Sequence, residues 1–190
     1  MCFSFEVSIG TFLFSWISSL FLLTKKLKKE DQQSIIFLMI FSSMQLADAI
    51  LWYIKLKKNS INYYVTSILV PFIISLQLLY RTYVMNDEKS IFIKISVICL
   101  IIYLFYRFNG YSRFSLCNGY FSSPIWGGKE INLLELLIAS FFILYSSWKA
   151  LAFTWLILFP FMYLISNGGY GSLWCAIAAL FSIYNLYIYR

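Results

Sequence analysis

The sequence predicts an all-α integral membrane protein, a single domain over residues 1–190 that forms a bundle of seven transmembrane helices. Two observations support this fold class. Hydrophobic residues make up 61% of the chain and charged residues only 12%, whereas a soluble domain carries roughly a quarter charged residues to cover its surface. Several uncharged stretches also approach the length of about 20 residues that a helix needs to cross a bilayer. Lipid is therefore the expected solvent for much of the surface.

Uncharged or nearly uncharged apolar stretches mark the individual spans. Five of them are 7–24, 33–54, 59–80, 90–106 and 131–148, and a further stretch, 150–189, is twice the length that one span needs. The run Asn167-Gly168-Gly169-Tyr170-Gly171 in its middle is a turn signal, which divides this stretch into a sixth and a seventh span. Residues 90–106 form the weakest span because Lys94 lies near their start. A surface position for them would leave six spans.

The distribution of Lys and Arg predicts the orientation, because cytoplasmic loops carry an excess of positive charge. With seven spans, nine of the 15 basic residues fall on one side and the other six on the opposite side. The nine include Lys25, Lys26, Lys28 and Lys29, directly after the first span. We therefore expect the N-terminus outside and the C-terminus inside. The net charge of +7 fits contact with anionic lipid, and the basic residues flank spans, so we expect no nucleic-acid partner.

The composition also excludes several kinds of site. The chain contains no histidine, which removes histidine metal ligands and histidine general bases. Its four cysteines, Cys2, Cys99, Cys117 and Cys175, form no C-x-x-C pair, so we expect neither a metal site nor another cofactor. A disulfide between Cys2 and Cys117 stays open, because sequence alone does not establish pairing.

The most informative residue is Asp48, which lies inside the second span. A carboxylate at that depth costs several kcal/mol unless it is paired, protonated or hydrated. Gln45 and Trp52 lie three residues before and four residues after it, so the three side chains share one helix face. Gln77 in the third span is the expected partner from a neighbouring helix. The alternative is that Asp48 and Gln45 only hold helices together through hydrogen bonds.

Two spans carry stripes of small and hydroxyl side chains. They comprise Ser4, Ser8, Thr11, Ser15, Ser18 and Ser19 in the first span and Ser172, Cys175, Ala178, Ala179, Ser182 and Asn185 in the last. Such residues let helices approach closely and form hydrogen bonds across the contact, so packing seams are one interpretation. The other interpretation is that both stripes line a polar cavity toward which Asp48 points.

Three short sequence blocks have a familiar pattern. They are Met1-Cys2-Phe3-Ser4, the segment from Gln45 through Asp48 to Trp52, and the segment Ser172-Leu173-Trp174-Cys175-Ala176-Ile177-Ala178-Ala179. Together they resemble a family of uncharacterised small multi-pass membrane proteins of bacteria and large algal-type DNA viruses. Glutamate is the more usual acid of that family where this chain has Asp48. The resemblance implies a multi-pass fold in a host or viral membrane, and it implies no specific activity.

In the N-out orientation, all three blocks fall in the outer leaflet. Cys2, Ser4 and Glu6 stand at the outer end of the first helix, and Trp174 and Cys175 stand at the outer end of the seventh. Gln45, Asp48 and Trp52 lie in the outward half of the second helix. A pocket open to the outer side is the simplest geometry that uses these positions together.

The leading functional expectation is a channel or transporter for a cation or proton. The pocket would be lined by Ser4, Glu6, Ser8, Gln45, Asp48, Gln77, Cys175 and Ser182, with Asp48 binding the ion and the glutamines replacing lost hydration. The alternative is a structural membrane protein that binds lipid or another protein, and self-association stays open. The third hypothesis is a membrane enzyme with Cys2 or Cys175 as nucleophile, for which the sequence reveals no oxyanion hole.

Overall fold

The structure, a computed structural model, describes residues 4–87, 89–115, 123–130, 132–145, 149–165 and 177–189. These residues are mostly helical, as the sequence predicts. The helices are α1 (Phe5–Leu23), α2 (Lys29–Tyr53), α3 (Ser60–Met85), α4 (Ile91–Arg107), α5 (Leu133–Leu144), α6 (Lys149–Ile165) and α7 (Ala178–Ile188). A short two-stranded sheet lies between α4 and α5. The predicted turn at 167–171 lies outside the described residues.

Three helices, α1, α2 and α3, are long and apolar enough to cross a membrane. They contain 19, 25 and 26 residues, with mean hydropathies of 1.6, 1.8 and 1.6. At 1.5 Å per residue, even α1 reaches roughly 28 Å, close to the thickness of a bilayer's hydrocarbon core, about 30 Å. Helices α5 and α7 are apolar but shorter, with 12 and 11 residues. The sequence prediction is thus confirmed for three candidate spans, and the count of seven stays a prediction.

Helices α1, α2 and α3 run in alternating directions. Phe5 at the start of α1 contacts Tyr53 at the end of α2, with ring centroids 5.8 Å apart. Near the opposite end of the molecule, Nε2 of Gln33 in α2 donates a hydrogen bond of 3.1 Å to the carbonyl oxygen of Val84 in α3. We call the end that holds Tyr53 the hairpin end and the end that holds Gln33 the far end.

Two of these helices are longer than their hydropathy predicts. Helix α2 begins at Lys29, because the acidic residues Glu30 and Asp31 interact favourably with the positive end of the helix dipole. Helix α3 continues past Tyr80 to Met85 through a π-helical segment, the second in that helix after Val65–Leu69. The extension brings Arg81 inside the helix, whereas the sequence analysis placed this charge beyond the end of the span.

Helix α1 has the reverse of the polarity of a soluble helix. Its buried face carries hydroxyls, and Ser15 is 0% exposed, whereas Ile17 is 65% exposed. The apolar residues on its exposed face are Val7, Leu13, Phe14, Ile17, Leu20 and Phe21. The polar face is turned toward α2 and α7, which are the main packing partners of α1 among the described helices. Lipid solvates such an apolar face, and helix–helix contacts accommodate the small hydroxyl side chains.

Helix α2 is the central element of the bundle, because it contacts α1, α3 and α7. Its apolar side chains form much of the core, together with residues from α3. The main members are Phe37, Leu38, Phe41, Met44 and Leu51 of α2 with Val70 and Ile73 of α3. Gln45 and Asp48 lie on the same helix, so their side chains are surrounded by packed helices.

The connection between α4 and α5 is a folded hairpin. Strand β1 (Arg113–Phe114) pairs antiparallel with β2 (Pro124–Ile125), and a 3₁₀ turn, Trp126–Gly128, follows. Gly127 and Gly128 adopt φ angles of 72° and 67°, which favour glycine. A Cβ on Gly127 would lie 3.1 Å from the carbonyl oxygen of Arg107. These glycines let the turn approach the end of α4 closely.

Candidate functional site

Asp48 occupies a fully enclosed position near the hairpin end of α2. Its side chain is 0% exposed, and it precedes Tyr53 by five residues, roughly 8 Å along the helix axis. The indole Nε1 of Trp126 donates a hydrogen bond of 2.8 Å to Oδ1 of Asp48. The hairpin, which the sequence analysis did not connect with the site, therefore supplies a partner for this carboxyl group.

Packing contributes to the position of Trp126. The residue is 9% exposed, and its ring contacts Phe108 at the end of α4 edge-on, with centroids 6.3 Å apart. It belongs to the same apolar cluster as Leu51 and Leu56 at the end of α2. The indole is therefore held by packing as well as by its hydrogen bond to Asp48.

The other two residues of the predicted α2 face have different environments. Gln45 is 0% exposed, like Asp48, whereas Trp52 is half-buried. The ring of Trp52 contacts Phe114 of strand β1, with centroids 5.3 Å apart. Its Nε1 has no hydrogen-bond acceptor in the part of the chain that the structure describes. The hairpin thus covers two of the three residues of this face, Asp48 through Trp126 and Trp52 through Phe114.

Gln77 lies at a different depth from Asp48. Helix α3 starts at the hairpin end, and Gln77 is roughly 25 Å along it from Ser60, whereas Asp48 is only about 8 Å from that end of α2. Nε2 of Gln77 is buried without a hydrogen-bond partner among the described residues. At the depth of Asp48, α3 instead presents its first π-helical segment, Val65–Leu69. The donor that reaches Asp48 comes from Trp126.

The predicted residues of α1 stand at the same end as Asp48. Ser4 caps the helix, and its Oγ accepts a hydrogen bond of 3.3 Å from the backbone N–H of Val7. Glu6 is exposed, whereas Ser8 is 1% exposed, on the buried side of the helix. Only Ser8 is therefore placed to face the interior of the bundle.

The predicted residues of the last span are described only in part. Ser182 of α7 is 1% exposed, and its Oγ donates a hydrogen bond of 2.9 Å to the carbonyl oxygen of Ala178. Helix α7 ends at the far end, where the next residue, Tyr189, contacts Asp31 of α2. Ser182 precedes Ile188 by six residues, roughly 9 Å, and therefore lies toward the far end. Cys2, Trp174 and Cys175 lie outside the described residues, as does Cys117. The predicted convergence of the three sequence blocks is therefore untested.

A seam of buried hydroxyls follows α1 through the bundle. The Oγ atoms of Ser8, Ser15 and Ser19 are buried and have no hydrogen-bond partner within the described ranges. Ser8 and Ser19 are roughly 17 Å apart along the axis. Buried polar atoms almost always have hydrogen bonds, to protein or to ordered water. The seam therefore offers polar groups over about half the thickness of a bilayer.

A hydrogen-bond network centred on Asn62 anchors the hairpin to α3. Its Nδ2 donates to the carbonyl oxygens of Leu56, Lys57 and Ser112 at 3.2, 3.1 and 3.0 Å. Its Oδ1 accepts from the backbone N–H of Ser112 at 2.8 Å and from Oγ1 of Thr66 at 3.1 Å. No sequence pattern indicates this network, because Asn62 is one uncharged residue within a long stretch and its partner Ser112 lies 50 residues away.

An ion pair connects the end of α4 to the start of α5. Nε of Arg107 lies 2.5 Å from Oε1 of Glu135, and its Nη2 donates to the carbonyl oxygens of Lys129 and Glu130 at 2.8 and 3.0 Å. Glu135 also forms a capping box with Asn132 at the start of α5. This pair therefore fixes both ends of the hairpin segment relative to the helices.

The chemistry available at this site is that of a carboxyl group among amides, hydroxyls and indoles. No cluster of three or more Cys, Asp or Glu residues that could hold a metal ion occurs in the described ranges. Cys99, the one cysteine that the structure describes, is exposed on α4. The described site can bind a proton or a cation at Asp48, and it presents no nucleophile there.

No protein-family model matches the sequence, and no curated protein or solved structure shows significant similarity to it. The resemblance to the family of small multi-pass membrane proteins therefore stays an expectation from the sequence.

Proposed function

We propose that this chain moves a cation or a proton across a membrane, with Asp48 as the ion-binding carboxyl group. The observation that carries the proposal is the complete burial of Asp48 in a helix long enough to cross a bilayer. An ionisable residue at such a position is costly, and this cost makes a functional role the default hypothesis. The hydroxyl seam of α1 adds polar groups along the neighbouring helix.

The full proposal includes seven spans with the N-terminus outside. Helices α4 to α7 then supply the four spans beyond the three candidates. The excess of Lys and Arg on one side favours this orientation. A host or viral membrane as the location rests on the family resemblance alone.

The hairpin gives the proposed site an outer cover. Trp126 contacts Asp48 from the hairpin end, which faces outside in the N-out orientation. An ion that reaches Asp48 from that side has to displace the indole. The arrangement in the structure is accordingly proposed to be an occluded state, and movement of Trp126 would open it.

The second candidate function is a structural membrane protein that binds lipid or another protein. The hydrogen bond between Trp126 and Asp48 favours it, because the same bond holds a hairpin on a helix bundle. In this interpretation the carboxyl group of Asp48 serves as an acceptor for interhelical and loop contacts.

Ion and proton flux into proteoliposomes tests the proposal. Asp48→Asn keeps the shape of the side chain and an oxygen that accepts the bond from Trp126, but it removes the titratable group. We expect flux with wild type and its loss with Asp48→Asn. The matched control is Glu130→Gln, which removes a carboxyl group from an exposed side chain of the hairpin, and flux should persist. Absence of flux in wild type and Asp48→Asn, with equal stability, would favour the structural function.

A further inference from the structure

Arg81 is a buried cation near the far end of α3. Its side chain lies in the π-helical segment Tyr80–Met85 and is only 8% exposed. One of its Nη atoms donates a hydrogen bond to the carbonyl oxygen of Phe142, and the ring of Phe37 lies 5.9 Å from its guanidinium carbon. Within the described part of the chain, its Nε has no acceptor and no carboxylate lies within salt-bridge distance of it.

These contacts do not compensate for the burial of the charge. A buried guanidinium is stable when an anion faces it and its N–H groups have acceptors. Among the described residues, the contacts of the Arg81 guanidinium are one carbonyl oxygen and one aromatic face, and both are neutral. An anion from outside the chain would satisfy both the charge and the remaining donors.

A small cleft lies beside Arg81. Thr82, Asn86 and Tyr145 line it together with the apolar residues Leu78, Ile93 and Phe142. The cleft lies between the end of α3, the start of α4 and the end of α5, and each of these ends is at the far end of the molecule. In a membrane, this is the level at which lipid headgroups lie.

The surroundings of the cleft indicate which anion it takes. Arg is suited to phosphate because its planar N–H groups can form two parallel hydrogen bonds with phosphate oxygens. Lys94 adds a second positive charge nearby on α4, with its Nζ 5.5 Å from the ring of Tyr83. Ile91 and Phe92 next to the cleft are 70% and 76% exposed. Acyl chains can cover these two side chains, whereas a free ion cannot.

We propose that the Arg81 cleft binds a phosphate group, and its position points to the phosphate of an anionic membrane lipid as the source. Basic pockets between helices on the cytoplasmic side of membrane proteins bind such headgroups. The inference is independent of ion transport through Asp48, because the two sites lie at opposite ends of the bundle.

Native mass spectrometry of the full chain in detergent tests the preference directly. The probes are phosphatidylglycerol, phosphatidylcholine and inorganic phosphate, each added separately. We expect retained phosphatidylglycerol with about tenfold preference over phosphatidylcholine, a ratio that corresponds to about 1.4 kcal/mol. Arg81→Gln should abolish the preference, whereas Arg113→Gln, an exposed arginine at the hairpin end, should retain it. Equal retention of the two lipids by wild type, or an unchanged preference in Arg81→Gln, would overturn the proposal.

Hydrogen exchange on wild-type protein gives a second measurement that does not depend on the folding of a variant. Phosphatidylglycerol should slow exchange in 78–86 and 142–145 more than phosphatidylcholine does. Protection of the same segments by inorganic phosphate would support the phosphate site and assign a soluble source. Protection only elsewhere in the chain would contradict the site.

Discussion

The indole Nε1 of Trp126 lies 2.8 Å from Oδ1 of Asp48, and this contact joins residues that are 78 positions apart in the sequence. One partner belongs to the turn of a hairpin and the other to the central helix of the bundle. Because both side chains are buried, loss of either one leaves the other without this hydrogen bond. The stability of the hairpin and the environment of Asp48 are therefore coupled.

Replacement of Trp126 by phenylalanine should destabilise the protein by about 1–3 kcal/mol. The change keeps an aromatic ring but removes the N–H that bonds to Asp48, and this is the usual cost of losing a hydrogen bond to a buried polar group. Trp52→Phe is the matched control, because Nε1 of Trp52 has no acceptor among the described residues. Its effect should be smaller, since it removes an unused donor. Thermal unfolding in detergent measures both variants.

A double-mutant cycle isolates the contact between the two side chains. The cycle combines Trp126→Phe with Asp48→Ala, and contacting residues typically show interaction energies of about 0.5–3 kcal/mol. Additive effects of the two substitutions would contradict a stabilising bond between them.

Replacement of Asn62 by alanine should release the hairpin from α3. The substitution removes the donors for three carbonyl oxygens and the acceptor for the N–H of Ser112. We expect a loss of about 2–4 kcal/mol, because several buried backbone groups lose their partners together. Trypsin cleavage after the exposed Arg113 should become faster, which gives a local readout.

Asn109→Ala provides the control for this experiment. Asn109 lies at the start of the same connection, is exposed, and accepts a hydrogen bond of 2.9 Å from the hydroxyl of Tyr63. Exposed contacts of this kind usually change stability by no more than about 0.5 kcal/mol. If both variants are cleaved at the wild-type rate, Asn62 does not anchor the hairpin.

Much of the helical architecture could be predicted because a simple hydropathy rule applies to it. Long uncharged stretches become helices, and α1 and α2 match their stretches within a few residues. The rule fails at Arg81, because it predicts that a span ends at a charge. Helix α3 instead continues and buries the guanidinium beside Phe142. Composition does not indicate which charges find partners inside a bundle.

The candidate site could be predicted only on one helix. Gln45 and Asp48 share a buried face of α2 because helical periodicity is a local property. Their surroundings depend on tertiary contacts, and Trp126 reaches Asp48 through a hairpin that hydropathy treats as a polar loop. Gln77 was predicted as the partner without regard to depth, whereas the antiparallel arrangement places it much nearer the far end.

The hydroxyl of Tyr189 provides a pH-dependent contact at the far end. It donates a hydrogen bond of 2.6 Å to Oδ1 of Asp31. Burial, together with this hydrogen bond and the negative charge of Asp31, raises the pKa of Tyr189 from 10.0 to about 12. A raised pKa means that the folded state favours the protonated phenol. The contribution of the contact between Tyr189 and Asp31 to stability is therefore fully present below about pH 10 and is lost as the pH rises through about 12.

Comparison of wild type with Tyr189→Phe measures this contribution. The variant should be less stable near neutral pH and should show a smaller further loss between about pH 10 and 12. Tyr53→Phe is the control, because Tyr53 is 75% exposed, and its unfolding profile should follow wild type. Parallel profiles of wild type and Tyr189→Phe across that range would show that the contact with Asp31 does not contribute.

The alternating directions of the first helices predict the side on which each connection is exposed. Lys26 and Lys57 follow α1 and α2 and are both exposed, so cysteines at these positions should react with a membrane-impermeant maleimide on opposite sides. Each variant is made in a background in which the four native cysteines are replaced by serine. In the N-out orientation, we expect Lys57→Cys to react in intact cells and Lys26→Cys to react only after permeabilisation. Lys89→Cys and Arg113→Cys test α4, which at 17 residues reaches roughly 26 Å. Labelling of Lys26→Cys and Lys57→Cys from the same side would mean that α2 does not cross the membrane as proposed. The same result for Lys89→Cys and Arg113→Cys would mean that α4 does not cross it.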